Sequence, residues 1–255
     1  MFLAVDVGNS NIHAGLFKEN PIPKLLNTKA FPCTTKGINQ FILYVKNCKS
    51  AKGLILSDAY GQTSIADNNL FKQIVKTIPN FVIFTSSIDC GLKINYRPKS
   101  SLGTDRIANC VAAHALYKTN CLVIDFGTAT TFNVVTKHGE FLGGLITPGI
   151  QGLINALPIH LKMKDIELKN IQPNLLAQTT LQSLHSGLYY WAINAITQIK
   201  CDMEKYLKTK LFMIATGGGI NLIPNIKNIF NNIDANLTLK GLAIIYQNIK
   251  GVSYD

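Results

Sequence analysis

The feature that most constrains this chain is a pattern that occurs twice. Leu3-Ala4-Val5-Asp6-Val7-Gly8-Asn9-Ser10 is an apolar run closed by Asp-x-Gly and a polar turn, with Ile12, Ala14, Leu16 and Phe17 behind it. Leu122-Val123-Ile124-Asp125-Phe126-Gly127-Thr128-Ala129 repeats the arrangement, followed by Phe132, Val134 and Val135. Each copy reads as a buried strand, a turn and an alternating strand. The two aspartates stand 119 residues apart, close to half of the 255-residue chain. That spacing predicts a duplicated unit in which each half opens with a β-hairpin.

Helical periodicity fills the space between. Ile107, Cys110, Val111, His114 and Ala115 predict a helix from Arg106 to Lys118, and residues 181–207 predict a long one through Leu184, Leu188, Trp191, Ala192, Ala195 and Ile199. Pro148-Gly149 and Pro158 punctuate the middle, and Gly217-Gly218-Gly219 follows a strand at Leu211-Phe212-Met213-Ile214-Ala215. The expected architecture is α/β, two similar halves divided at 1–117 and 118–255 with no linker.

Composition narrows the function classes. With 47% hydrophobic and 15% charged residues, a chain of this size buries about 70–75% of its unfolded surface. No apolar run reaches the roughly 18 residues a membrane helix needs. Asp6 interrupts the first apolar run with no basic region before it, so no secretory leader and no membrane association are expected. The six cysteines show no CxxC spacing and no His/Cys cluster. They read as reduced thiols, which suggests the cytoplasm. The formal charge of +11 could suit nucleic acid. Only Arg97 and Arg106 among the 25 basic residues are arginines, however, and the lysines are scattered. The densest patch is Leu161-Lys162-Met163-Lys164, so a solvated lysine surface without a nucleic-acid partner is the preferred reading.

Several catalytic classes are absent by motif. No Gly-Lys pair exists for a P-loop, and no GxGxxG after a strand, HExxH or GxSxG is present. What remains is three glycine-containing turns after strands, at Asp6–Ser10, Asp125–Thr131 and Thr216–Gly219. Glycine there lets backbone approach a ligand, and successive N–H groups can line an anion site. A carboxylate at a strand end can hold Mg²⁺, usually through water. Two facing turns could clamp a nucleoside triphosphate, although any single Asp-x-Gly is an ordinary hairpin turn. A further segment, Tyr96-Arg97-Pro98 and Gly103-Thr104-Asp105-Arg106, opens a helix. Asp105 there could be a cap or dipole partner. Beside Arg106 it also suits an acceptor carrying a hydroxyl and an anion, because the arginine fork matches a carboxylate bidentately.

Taken in order, Asp6-Val7-Gly8-Asn9-Ser10, Tyr96-x-Pro98, Gly103-Thr104-Asp105-Arg106, Asp125-Phe126-Gly127-Thr128-Ala129-Thr130, Gly143-Gly144-x-Ile146-x-Pro148-Gly149 and Thr216-Gly217-Gly218 resemble the type III pantothenate kinases. That family lies in the superfamily of acetate and sugar kinases, heat-shock chaperones and actin. The resemblance continues to Asp234-x-x-Leu237-x-Leu239-x-Gly241-Leu242. It implies two ribonuclease-H-like (actin-like ATPase) halves with the nucleotide in the cleft between them.

Carried over by position, it implies that Asp6, Val7, Gly8, Asn9, Ser10, Asn11, Ile12 and His13 form the first phosphate loop and that Thr128 contacts ATP. Asp125 would help bind potassium or ammonium, and Asp6 would hold Mg²⁺ through water. Tyr96, Gly103, Thr104, Asp105, Arg106 and Thr180 would line the pantothenate site, with Asp105 as catalytic base. The family is homodimeric, which suggests the 181–207 helix as a contact. Three positions depart from its pattern: Ser10 for the usual Thr, Thr104 for a smaller residue, and Thr179 for an Asn. The implied reaction is phosphorylation of pantothenate to 4′-phosphopantothenate, the first step of coenzyme A biosynthesis. A kinase of the same fold with another acceptor, or a non-catalytic transcriptional accessory protein, are the other readings. Retention of Asp6, Asp105 and Asp125 argues against the latter.

Overall fold

The computed structural model describes residues 1–58, 69–161, 172–223 and 226–251. The chain forms two units. The first comprises Met1–Tyr117, His138–Leu142 and Asn236–Asp255, the second Lys118–Lys137 and Gly143–Ala235. The chain first changes unit after Tyr117, and the segment from Asn236 onward belongs to the first unit.

The first unit holds β1 (Phe2–Val7), β2 (Asn11–Lys18), β3 (Lys24–Pro32), α1 (Thr35–Asn47), β4 (Gly53–Asp58), α2 (Asn69–Val75), β5 (Asn80–Phe84), β6 (Lys93–Ile94) and α3 (Thr104–Tyr117). Its sheet runs β3-β2-β1-β4-β5. β1 pairs antiparallel with β2 and parallel with β4, and β4 pairs parallel with β5. Phe2, Leu3, Ala4 and Val5 are fully buried, which is why β1 reads as an unbroken apolar run. β3, at the edge, exposes Lys24, Asn27, Thr28 and Lys29, a charged and polar margin that discourages further strand pairing. Thr34 caps α1 by accepting from the Gly37 N–H at 3.2 Å. That helix buries Phe41, Ile42 and Val45 against Leu3, Val5, Ile12 and Leu54.

The second unit holds β7 (Cys121–Phe126), β8 (Ala129–Val135), the greater part of β9 (Glu140–Pro148), α4 (Ile150–Leu161), α5 (Thr180–Leu207), β10 (Phe212–Thr216) and β11 (Asn232–Ile233). Its strands are ordered β9-β8-β7-β10-β11. β7 and β8 form an antiparallel hairpin, with β10 parallel to β7 and β11 parallel to β10. Taking β7 as the counterpart of β1, this is the strand order of the first unit, so the repeated motif marks a repeated topology. Leu122, Ile124, Phe132 and Met213 pack with Ile150, Ala192 and Ile196.

Three sequence expectations shift. α3 begins at Thr104, two residues early, and ends before Lys118, which adopts a left-handed φ of 51°. α4 continues through residue 158, where the proline suggested a break. On α5 the buried positions are His185, Ser186, Ala192 and Ile196, while Trp191 is half exposed. Positions 191 and 192 lie about 100° apart around the axis, and the core takes the smaller one. The lysines at 162 and 164 lie outside the described residues.

The last helix, α6 (Leu237–Gly251), packs on α3 and β1 in the first unit. Gly241 makes this possible, since a Cβ there would run into the Ala108 carbonyl of α3. Tyr246 stacks on Phe2 with ring centres 4.5 Å apart and donates its hydroxyl to the Asn80 carbonyl at 3.3 Å. The helix thereby ties the β1 and β5 strands together from one side. None of the six cysteines is in a disulfide.

Candidate active site

The β1–β2 turn is built by backbone. The Gly8 N–H donates to the Asn11 carbonyl at 3.0 Å, the Cys33 N–H to the Ser10 carbonyl at 2.9 Å, and the Cys33 thiol to the Gly8 carbonyl at 3.1 Å. β3 therefore braces the turn from behind. Asn9, Ser10, Asn11 and His13 are exposed, Asp6 and Gly8 are half-buried, and Val7 and Ile12 face the core. Val7 and Ile12 can therefore meet a ligand only through backbone. The N–H groups and the Ser10 hydroxyl are suited to phosphate oxygens.

The segment around Asp105 belongs to the same unit. Asp6 is opposite Ser57 in the β1–β4 register, and the buried Ser57 hydroxyl lies 2.8 Å from that of Thr104. Strand pairing thus sets the start of α3 beside the strand that ends in the first turn. Asp105 follows Thr104 and its Oδ1 accepts from the Arg106 N–H at 2.7 Å. Burial pushes the Asp105 carboxyl above its ordinary range, opposed by the Arg106 N–H and guanidinium charge. A Cβ at Gly103 would collide with that carboxylate, so the glycine reserves its space. Arg106 is 4% exposed, and its guanidinium lies over the rings of Tyr96 and Phe141 at 5.4 and 5.8 Å. The structure thus brings Tyr96 together with Gly103, Thr104, Asp105 and Arg106.

Two contributors escaped the sequence reading. Ser57 closes an apolar strand with a polar residue, the same signal that drew attention to Asp6. Phe141 sits just before the Gly143-Gly144 pair and carries no motif of its own.

In the second unit, the β7–β8 turn is packed by glycines. Its Gly127 N–H donates to the Ala129 carbonyl, and the Gly149 N–H to the Thr128 carbonyl, both at 3.1 Å. A Cβ on Gly149 would strike the carbonyls of Gly127 and Thr128. Gly217, at φ 85°, has room only for hydrogen against Asp125 and the Phe126 backbone, a conformation that glycine alone adopts freely. Asp125 is half-buried and Thr128 is exposed, so Thr128 is accessible to a ligand. Thr180, exposed, is the first residue of α5 after the capping Thr179.

Among the described residues no group of three or more His, Cys, Asp or Glu could hold a metal ion. Asp6 and Asp125 each offer one half-buried carboxylate at a strand end. A lone hard-oxygen donor such as Asp6 fits Mg²⁺ that arrives with nucleotide phosphates and keeps its waters, and one such as Asp125 fits a monovalent cation.

Comparison with known proteins places these features. A ROK hexokinase from Thermus thermophilus superposes with a TM-score of 0.55 at 12% identity, covering 97% of this chain and 99% of that one. A Baf family transcriptional activator from Campylobacter jejuni superposes at 0.59 with 20% identity, covering 98% of this chain and all of that one. The fold is therefore the two-lobed, actin-like one of the sugar kinases, with a ribonuclease-H-like core in each lobe. A family model for type III pantothenate kinase matches residues 2–201. A type III pantothenate kinase from Syntrophobacter fumaroxidans is 31% identical over 260 aligned residues, spanning 98% of this chain and 99% of the relative. The chain belongs to the type III pantothenate kinase family. It is a phosphotransferase of coenzyme A biosynthesis that uses ATP.

Proposed function

We propose that the chain transfers the γ-phosphoryl group of ATP to the primary hydroxyl of pantothenate, with Asp105 as proton acceptor and Arg106 as partner of the acceptor's carboxylate. The observation that carries this reading is the Gly103–Arg106 turn. It sets a carboxylate of raised pKa next to a buried guanidinium, one group for a hydroxyl and one for an anion.

A carboxylate cannot deprotonate a free alcohol beforehand, because their ordinary pKa values are far apart. Asp105 instead orients the hydroxyl by accepting its hydrogen bond and takes the proton late, as the loose transition state permits. Burial helps by raising the basicity of the carboxylate, and such a group contributes roughly 10²–10⁴-fold in rate. The N–H groups of the first turn, with Asn9, Ser10, Asn11 and His13, contact ATP phosphates, and Thr128 is a further ATP contact. Tyr96 and Thr180 complete the acceptor site. Asp6 would hold Mg²⁺ through water, and the ion arriving with ATP would supply charge compensation at the phosphoryl group. Asp125 takes part in binding a monovalent cation, potassium or ammonium. A homodimer with α5 at its contact, acting in the cytoplasm, is consistent with family membership. Among the described residues no helix is long and apolar enough to cross a membrane.

The test is ADP release coupled to a reporter enzyme, with pantothenate and Mg²⁺ in potassium or sodium. Pantothenate-dependent turnover that rises with potassium is expected. ADP release indifferent to pantothenate in both salts would rule out the acceptor.

A further inference from the structure

Two neighbouring aromatic rings pack against Arg106. The guanidinium carbon stands 5.4 Å from the Tyr96 ring centre and 5.8 Å from that of Phe141. The rings themselves meet edge to face at 6.1 Å, with planes inclined by 67°. Phe141 is fully buried. It is the second residue of β9, and its register partner is Ile94 of β6, two residues before Tyr96. Pairing of these short strand segments therefore brings both rings to the same arginine.

Aromatic faces attract a guanidinium through their quadrupole, and the attraction strengthens when water is excluded. The rings themselves supply no formal negative charge. An arginine fixed in this way offers its in-plane N–H donors in one direction, the geometry a carboxylate accepts bidentately. Tyr96 already belongs to the acceptor segment. Phe141 stands outside every motif, and its ring lies under the Arg106 guanidinium.

We propose that Phe141 is a positioning residue that orients Arg106 and so makes the acceptor site select substrates bearing a carboxylate. This rests on the reading of Arg106 as the partner of the pantothenate carboxylate. A phenylalanine that merely fills the core would affect all acceptors alike, whereas an orienting one affects only those whose carboxylate meets Arg106.

The experiment compares pantothenate with its neutral primary amide in the full-length enzyme, for wild type, Phe141→Leu, Phe141→Tyr and Arg106→Lys. Phe141→Met is a second ring-free variant should leucine leave too large a void. The expected result for Phe141→Leu or Phe141→Met is a KM for pantothenate raised about tenfold, an effect of the order a desolvated cation–π contact supports. The kcat, the KM for ATP and the kinetics of the amide stay within about twofold. Phe141→Tyr keeps the ring and the wild-type preference, while Arg106→Lys loses the preference. Unchanged discrimination in the ring-free variants, beside lost discrimination in Arg106→Lys, overturns the role of Phe141 and leaves that of Arg106 standing. Equal losses on both acceptors also overturn it, in favour of packing. A wild type that shows no preference for the carboxylate removes the Arg106 reading and this inference with it.

Discussion

The hydroxyls of Ser57 and Thr104 lie 2.8 Å apart in the interior of the first unit, joining the end of β4 to the first residue of α3. One residue further on is Asp105, and opposite Ser57 in the sheet is Asp6. The hydrogen bond thus couples β4, the sheet neighbour of the strand that ends in the proposed phosphate turn, to the helix that carries the proposed base. Thr104→Val keeps the shape and removes the partner, leaving the Ser57 hydroxyl buried and unpaired. A loss of about 1–3 kcal/mol in denaturant unfolding is expected. Ser57→Ala combined with Thr104→Ala should cost less than the sum of the two single changes, because they share one interaction. Strict additivity would show that the bond contributes nothing.

Asp105→Asn should fold normally and lose roughly 10²–10⁴-fold in kcat. Its stability should move the other way. Burial raises the Asp105 pKa in the folded state, so between the unfolded and folded values the native chain binds more protons. Wild-type stability therefore falls as pH rises through that window. The asparagine variant escapes this penalty while still accepting from the Arg106 N–H. It should melt above wild type at neutral pH and level with it at low pH. The acid limb of wild-type kcat should lie above the ordinary aspartate range.

Gly103→Ala tests the space reserved for the carboxylate. The added methyl would occupy the position of Asp105 Oδ1, and the flexible carboxylate would swing away from it. Folding should survive with little change in melting temperature, while kcat drops about tenfold to a hundredfold. Wild-type turnover in this variant would mean that Asp105 works from another orientation.

Gly217→Ala should be far more disruptive to the fold. Its φ of 85° is unfavourable for alanine, and the Cβ would press on Asp125 and the Phe126 backbone. We expect a loss of about 2 kcal/mol or more, measured by thermal unfolding, and weakened potassium activation in whatever folds.

Glu204 anchors the end of α5 to β10. Its carboxylate accepts from the Leu211 N–H at 2.9 Å and from Lys210 Nζ at 3.1 Å. The Leu211 N–H first, then the lysines, hold its pKa below the usual range. Lys210 is almost fully exposed, so that pair contributes little. Glu204→Ala should destabilise by about 1 kcal/mol at neutral pH through the lost acceptor. The difference should shrink as pH falls through the lowered pKa, since a depressed carboxyl stabilises only above it.

The hairpins, the duplication, the two major helices and the helix start at Gly103–Arg106 were legible in the sequence. Each depends on local chemistry: apolar runs closed by Asp-x-Gly make a buried strand and a turn wherever they occur, and Gly103 to Arg106 opens a helix through neighbouring residues alone. Only the tertiary structure decided which side chains meet across long separations. Ser57 reaches Thr104 because parallel pairing of β1 with β4 sets its register, and Phe141 reaches Arg106 because β9 pairs with β6. α6 rejoins the first unit because Gly241 allows close approach to α3. Trp191 yields its place in the core to Ala192 because the phase of a helix is set by what it packs against. Periodicity along a chain reports which face is apolar, but the partner of that face is chosen by packing between segments far apart in sequence.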